Sequence, residues 1–164
     1  MDKITIERIQ TIHPDLRVQL LADYIACNNL LPKGVRLRFT SVFRTVDEQN
    51  VLFKKRPKVT QAKGGQSIHN YGLAFDMVIL IDKDGDGKFE AVSWSIDEHW
   101  ITVVQFFKAK GWEWGGDWKK FKDAPHFQKA VSLGWNELKR RVDSGLSIKD
   151  GGIVYPLLKI KATN

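Results

Sequence analysis

His69 and Asp76 are the residues whose types and spacing point most directly to chemistry. They stand seven residues apart in Ser67-Ile68-His69-Asn70-Tyr71-Gly72-Leu73-Ala74-Phe75-Asp76, with an apolar run, residues 77–81, directly after. One on a loop and one on a strand, they look like part of a zinc site. Catalytic zinc takes three protein ligands at about 2.0–2.2 Å from N or O atoms and keeps one position for water. The best place to look for the missing ligand is Asp123-Ala124-Pro125-His126-Phe127. On a helix a separation of seven puts the pair about 10 Å apart along the axis. On a straight strand an odd spacing sends the two side chains to opposite faces. The pair therefore works only if the chain bends between them, and Gly72 allows that bend.

Asp76 is unusual on its own terms, because it lies in Leu73-Ala74-Phe75-Asp76-Met77-Val78-Ile79-Leu80. An unpaired carboxylate there costs several kcal/mol. A single buried Asp is more often the partner of an arginine than a metal ligand, and His69 alone reads as an ordinary polar residue; the pairing favours metal. His126 follows a proline that holds Ala124 extended, with Asp123 three residues upstream. A histidine ligand with an unbound carboxylate nearby is the minimum for metal-assisted hydrolysis, in which the metal acidifies water and the carboxylate takes the proton. Asp before a proline is also a common turn residue. His13 and His99 have no partner pattern and read as spectators. Cys27, the only cysteine, excludes internal disulfides and thiolate-rich zinc sites; in an apolar helical stretch it reads as an inert buried thiol.

The elements that must position these residues follow from periodicity. Pro14, Leu16, Val18, Leu20, Leu21, Tyr24 and Ile25 have helical spacing over residues 14–29. Residues 35–44 alternate as a half-buried strand, with Leu37 and Phe39 on one face. Thr45-Val46-Asp47-Glu48 fits a capping box and predicts a helix over about 46–55, which sets Arg44 at a strand-to-helix junction. Residues 57–66 read as loop, and 74–81 as a buried strand. A turn over 82–87 leads to a return strand over 88–92. Ser95-Ile96-Asp97-Glu98 is a second capping-box candidate, opening a helix that stops at Gly111. Residues 112–118 form an aromatic turn, 135–142 a last helix, and 153–158 a terminal strand. This mixture without regular alternation predicts an α+β fold: one domain over residues 1–164, a small antiparallel sheet flanked by helices, with the zinc site in a cleft. Its core spans about 9–130, and the C-terminal helix and tail span 131–164.

The 164 residues suffice for one real core, since a chain of roughly 150 residues buries about 70% of its unfolded surface. Hydrophobic residues are 43% and charged residues 27%, which excludes a disordered chain. No apolar run approaches the ~20 residues that cross a bilayer. The N-terminus lacks the apolar segment of a Sec-type signal peptide, so synthesis in the cytosol is expected, with export by another route. Lys plus Arg outnumber Asp plus Glu by 26 to 19, a formal charge of +7. That excess favours polyanions, wall polymers among them. No nucleic-acid-binding pattern accompanies it, so neither nucleic acid nor a membrane is an expected partner, and the chain reads as a monomer.

Asp82-x-Asp84-x-Asp86-Gly87-x-x-Glu90 is similar to the first half of an EF-hand loop. It makes Asp82, Asp84, Asp86, Lys88 and Glu90 candidates for a weak calcium site. Ser93 stands where a bidentate Glu is expected, and a polar hairpin turn explains the same residues.

Ser67-x-His69-x-x-Gly72-x-Ala74-x-Asp76, followed by Asp123-x-x-His126, resembles the zinc D-Ala-D-Ala carboxypeptidase and L-alanyl-D-glutamate endopeptidase family, whose fold is shared with the hedgehog signalling domain. The likeness covers roughly residues 9–130. It includes His13-Pro14, Ser41-x-Phe43-Arg44-Thr45-x-x-Glu48-Gln49 and Trp114-Gly115-Gly116-Asp117-Trp118. It implies one zinc ion held by His69, Asp76 and His126, Asp123 as the catalytic carboxylate, Arg44 as the contact to substrate carbonyl or oxyanion, and Ser67 as a substrate contact. Asp rather than Glu at position 123, with Pro-His-Phe after it, is similar to the endopeptidase branch common in phage endolysins and some bacterial wall enzymes. The implied activity is bacteriolytic cleavage of the L-alanyl–D-glutamate bond in peptidoglycan stem peptides. With no signal peptide and no wall-binding module in evidence, a phage lysin released through a holin lesion fits. The alternatives are a D-Ala-D-Ala carboxypeptidase or dipeptidase, a zinc-bearing binding module without catalysis, and a basic nucleic-acid binder.

Overall fold

The computed structural model describes residues 1–129 and 131–158. In chain order its elements are α1 (Lys3–Ile9), α2 (Pro14–Asn28), β1 (Val35–Ser41), α3 (Val46–Lys54), β2 (Ala74–Ile81), β3 (Ala91–Ser93), α4 (Glu98–Ala109), β4 (Trp112–Trp114), β5 (His126–Lys129), α5 (Trp135–Asp143), β6 (Ser147–Asp150) and β7 (Ile153–Pro156). The architecture is α+β. The main sheet has the order β1-β2-β5-β4, with β3 also paired to β2, and β6 and β7 make a separate two-stranded sheet. Every pairing is antiparallel.

Alternation along β2 divides core from cleft. Phe75, Met77 and Ile79 are fully buried in the main core, while Asp76 turns to the other face. Phe75 stacks between Phe39 and Phe127 at ring-centroid distances of 4.2 and 5.1 Å. Phe107 of α4 meets its edge at 4.9 Å. Offset and edge contacts of this kind add about 0.5–1.5 kcal/mol per pair beyond area burial, so the site-bearing strands rest on a stiff aromatic layer.

Several boundaries differ from the periodicity. β1 ends at Ser41 because a bulge between Phe39 and Ser41 bends the strand. The α4 cap is Asp97, not Ser95: its Oδ1 accepts from His99 N and Trp100 N at 3.1 and 3.0 Å. β3 begins at Ala91 rather than Lys88, since the preceding loop extends to Glu90, whose Oε1 accepts from Lys83 N. Residues 112–114 of the aromatic turn are strand. The Thr45–Glu48 capping box is present in full.

Three elements have no forecast counterpart: α1, β6, and β5, which pairs with β2 and β4. α1 is capped by Asp2, whose carboxylate also receives Arg38 Nε and Nη2 at 3.0 and 2.6 Å. β6 pairs with β7 and completes the predicted tail strand. This tail packs into the body: Tyr155 is fully buried, its hydroxyl donates to Thr11 O at 3.1 Å, and Pro156 O lies 2.9 Å from His13 Nε2. Residues 159–164 of the tail fall outside the described residues.

Candidate metal centre

Each member of the His69–Asp76–His126 set is placed by a different local device. His69 sits in a single 3-10 turn, residues Ile68–Tyr71, which ends at Gly72 in the left-handed conformation (φ 65°, ψ 32°). That is the bend the spacing requires. A Cβ at Gly72 would lie 2.7 Å from Tyr155 Cε1 and 2.9 Å from His13 N, so backbone conformation and space both demand glycine. Asp76 and His126 are direct cross-strand partners on β2 and β5. Pro125 O accepts from Met77 N at 3.0 Å and carries that pairing past the strand end.

The three facing atoms form a nearly equilateral triangle. His69 Nε2 is 3.1 Å from Asp76 Oδ1 and 3.1 Å from His126 Nδ1, and His126 Nδ1 is 3.0 Å from Asp76 Oδ1. The surroundings set which ring nitrogens carry protons. His69 Nδ1 lies 2.6 Å from Val42 O, which only accepts, so this nitrogen is the donor. Gln128 Nε2 donates to Glu113 Oε2 at 2.9 Å, which turns Gln128 Oε1 to His126 Nε2 at 3.2 Å. In their neutral forms both rings then present a lone pair to the carboxylate and to each other. Three acceptors converging at 3.0–3.1 Å call for a cation. The ligand atoms of a tetrahedral zinc lie about 3.3–3.6 Å apart, so the residues present fit such an ion after a small expansion.

Charge around the set follows from burial and pairing. Burial raises the Asp76 carboxyl, but the charges and hydrogen bonds of His69 and His126 outweigh it and hold the group well below the usual carboxylate range. Burial lowers His126, whereas its hydrogen bond to Asp76 and the charges of Asp76 and Asp123 carry it above the usual histidine value. Asp123 is pushed up by burial and by the Asp76 charge, against the opposing pull of His126, His69 and Arg44.

Arg44 answers the other question about Asp76. Its Nη2 donates to Asp76 Oδ2 at 3.2 Å and to Ser41 Oγ at 3.0 Å, and its Nη1 donates to Gln49 Oε1 at 2.9 Å. The arginine partner and the histidine pair therefore coexist, one on each carboxylate oxygen. The β1 bulge is what brings Ser41 opposite Asp76. His69 O accepts from Arg44 N at 3.1 Å, and Asn70 Nδ2 donates to Arg44 O at 2.7 Å, which clamps the 3-10 turn to the β1–α3 junction.

Arg44, Ser67, His69, Asp76, Asp123 and His126 all line one cleft of about 480 Å³. Every residue singled out for the zinc reaction is thus brought together. Sequence reasoning missed Gln128, Glu113, Gln49 and the Val42 carbonyl. Gln128 was findable, since it lies two residues after His126 on a strand and so on the same face. The others are neighbours only in the fold. His13 is a structural residue, fully buried, with Nδ1 accepting from Asp15 N and its backbone N–H donating to Gly72 O at 2.8 Å.

The acidic loop has its own geometry. Ligand atoms of Asp82, Asp84 and Glu90 can gather within 4.8 Å of one another. Asp86 is drawn aside, its Oδ2 2.6 Å from Lys88 Nζ and its Oδ1 accepting from Lys88 N at 2.8 Å. Asp82 accepts from Gly85 N and Gly87 N, as in a self-bonded turn.

A carboxylate and a histidine on neighbouring strands, a second histidine from the 3-10 turn, and a further carboxylate and an arginine in the same cleft make the donor set of a metal-dependent hydrolase. A family model described as D-alanyl-D-alanine carboxypeptidase matches residues 60–129, the segment that holds His69, Asp76, Asp123 and His126. The chain is 39% identical over 130 residues to the peptidoglycan L-alanyl-D-glutamate endopeptidase CwlK of Bacillus subtilis (strain 168), covering 71% of this chain and 72% of that protein. The chain belongs to the M15 peptidase family and is a peptidase. Its fold is that of the Serratia marcescens L-Ala D-Glu endopeptidase ChiX. The crystal structure of that protein superposes with a TM-score of 0.60 at 24% identity, covering 80% of this chain and 90% of that one.

Proposed function

We propose that this chain is a zinc-dependent peptidoglycan hydrolase that cleaves the L-alanyl–D-glutamate bond of the stem peptide. The observation that carries the proposal is the convergence of His69 Nε2, Asp76 Oδ1 and His126 Nδ1 in a cleft that also holds Asp123 and Arg44. The 39% identity to a wall endopeptidase supports the choice of bond, and a formal charge of +7 suits an anionic wall.

Zinc held there would supply Lewis-acid polarisation of the scissile carbonyl and a more acidic water. Asp123 accepts the proton of the attacking water and returns it to the departing amine. Arg44 has five N–H donors, three of them engaged with Ser41, Gln49 and Asp76. The remainder can bond the oxygen on which negative charge develops, a contact that strengthens toward the transition state. Held from three sides, the guanidinium needs little reorganisation to do so.

A carboxypeptidase must hold the terminal carboxylate of its substrate, usually with an arginine or lysine. Among the described residues Arg44 is the one such side chain lining the cleft, and its unengaged N–H groups are those assigned to the developing oxyanion. This favours cleavage within the peptide.

Mass spectrometry of digested peptidoglycan tests the proposal, with fragments bearing a new D-glutamyl N-terminus expected and chelator abolishing their release. Asp123→Asn should retain one zinc per chain while turnover falls about 10²–10⁴-fold. Wild-type turnover in that variant would show that Asp123 is not the base.

A further inference from the structure

Resting on the endopeptidase proposal, we infer that Trp94 and Phe121 form a sugar-stacking subsite for the glycan-strand hexosamine that bears the stem peptide. In the bond proposed above, a single alanine separates the scissile carbonyl from the lactyl ether of a muramic acid. Alanine and the lactyl group together span about two residue lengths, so a productive pose on the glycan-bearing substrate places a hexosamine ring within about 10 Å of the metal centre. The cleft must offer a surface to that ring on one side.

The fold supplies one. β1 occupies one edge of β2, so β3, which pairs with the same β2 residues 79–81, lies on the opposite edge, in line with β5. Trp94 is the first residue after β3 and so emerges on the β5 side of β2, near the strand that carries His126. Phe121 belongs to the segment just before Asp123. Both line the cleft of the metal centre, and both are large aromatic side chains left open, Trp94 at 57% and Phe121 at 40% exposure. Such aromatics rimming a pocket mark a binding surface, not a packing one.

Thr40 and Gln61 line the same cleft and are uncharged. Flat aromatic faces with neutral hydrogen-bonding groups nearby suit a pyranose ring, which offers C–H faces and hydroxyl or N-acetyl edges and carries no charge of its own. Binding energy gathered on this remote ring can be used to align the scissile bond, so its loss lowers kcat/KM for the glycan-bearing substrate alone.

The test compares two substrates, a soluble muramyl-bearing stem peptide and the same peptide after removal of the sugar. Wild type should cleave the muramyl form with the higher kcat/KM. Trp94→Ala should lower kcat/KM on the muramyl form about ten-fold and leave the free peptide within about two-fold. Trp94→Phe should restore most of the difference, and Phe121→Ala should show the same selective loss as Trp94→Ala. An equal loss on both substrates, or no loss on either, overturns the subsite while leaving the endopeptidase assignment standing. Cleavage of neither substrate by wild-type protein refutes the endopeptidase assignment, and the subsite with it.

Discussion

Gly115 offers the sharpest test of how the cleft is held. It is a buried residue at the end of β4, with a backbone that does not demand glycine; its constraint is space. A Cβ there would lie 2.4 Å from Asp123 O, and 3.2 Å from both Asp123 Cβ and His126 Cβ. Real Cβ contacts under 3.0 Å essentially never occur, so Gly115→Ala must move the Asp123 backbone by about 0.6 Å, the difference between 2.4 and 3.0 Å. The same segment is anchored to Gly115 itself, whose carbonyl accepts from Asp123 N at 3.0 Å. Catalytic groups must be held within about 0.5 Å, and a 1 Å misplacement can reduce the rate about 10²-fold. The expected result is a fall of about 10–100-fold in kcat/KM on peptidoglycan, with an overpacking penalty of about 1–3 kcal/mol. For a domain of this size each kcal/mol lowers Tm by about 2–4 °C. Turnover by release of new amino groups and Tm by calorimetry read the two effects. Activity and Tm both within error of wild type would refute the close approach of β4 to the Asp123 segment.

Two further outcomes follow from side-chain hydrogen bonds, one beside the metal ligands and one at the N-terminal helix. Gln128→Leu removes the acceptor that keeps the His126 proton on Nε2; metal affinity by competition with a chelator should fall about 10–100-fold while the far-UV spectrum is unchanged, and unchanged affinity would remove Gln128 from the site. Asp2→Asn should lower Tm at pH 7, because the carboxylate both caps α1 and takes two bonds from Arg38; about 2 kcal/mol is expected. Burial raises the Asp2 carboxyl, but its bonds from Arg38 and Thr5 prevail and depress it below its ordinary value. The stabilisation is therefore full above the unfolded pKa of about 3.9 and disappears as pH falls through the folded value. Wild type and Asp2→Asn should converge in Tm at low pH, and a constant difference down to pH 2 would contradict the assignment.

Much of this was legible in one dimension because local rules carried it. The Thr45–Glu48 capping box, the alternation of Leu37 and Phe39, and the apolar run of β2 are short-range patterns, and the structure contains them. The odd spacing of His69 and Asp76 required a bend, and Gly72 has the left-handed conformation that makes it. Other features had no local signature. Lys3–Ile9 is too short a helix to declare itself by period, and it exists because Asp2 reaches Arg38, thirty-six residues away. Asp97 outcompeted Ser95 as a cap because its carboxylate reaches two backbone donors at once.

The sequence by itself determined which residue types were available for metal and proton chemistry, and that the chain had to turn between the first two. Only the tertiary structure decided that Arg44 and the two histidines share Asp76, one on each oxygen. Only it set the proton on His126 Nε2 through Gln128 and Glu113, and closed the elbow at Gly72 with Tyr155 from the far end of the chain. Ligand identity is a property of side chains, which sequence prints directly. Tautomer, orientation and shared charge depend on distances of about 3 Å between residues up to 83 positions apart, and those exist only once the sheet has formed.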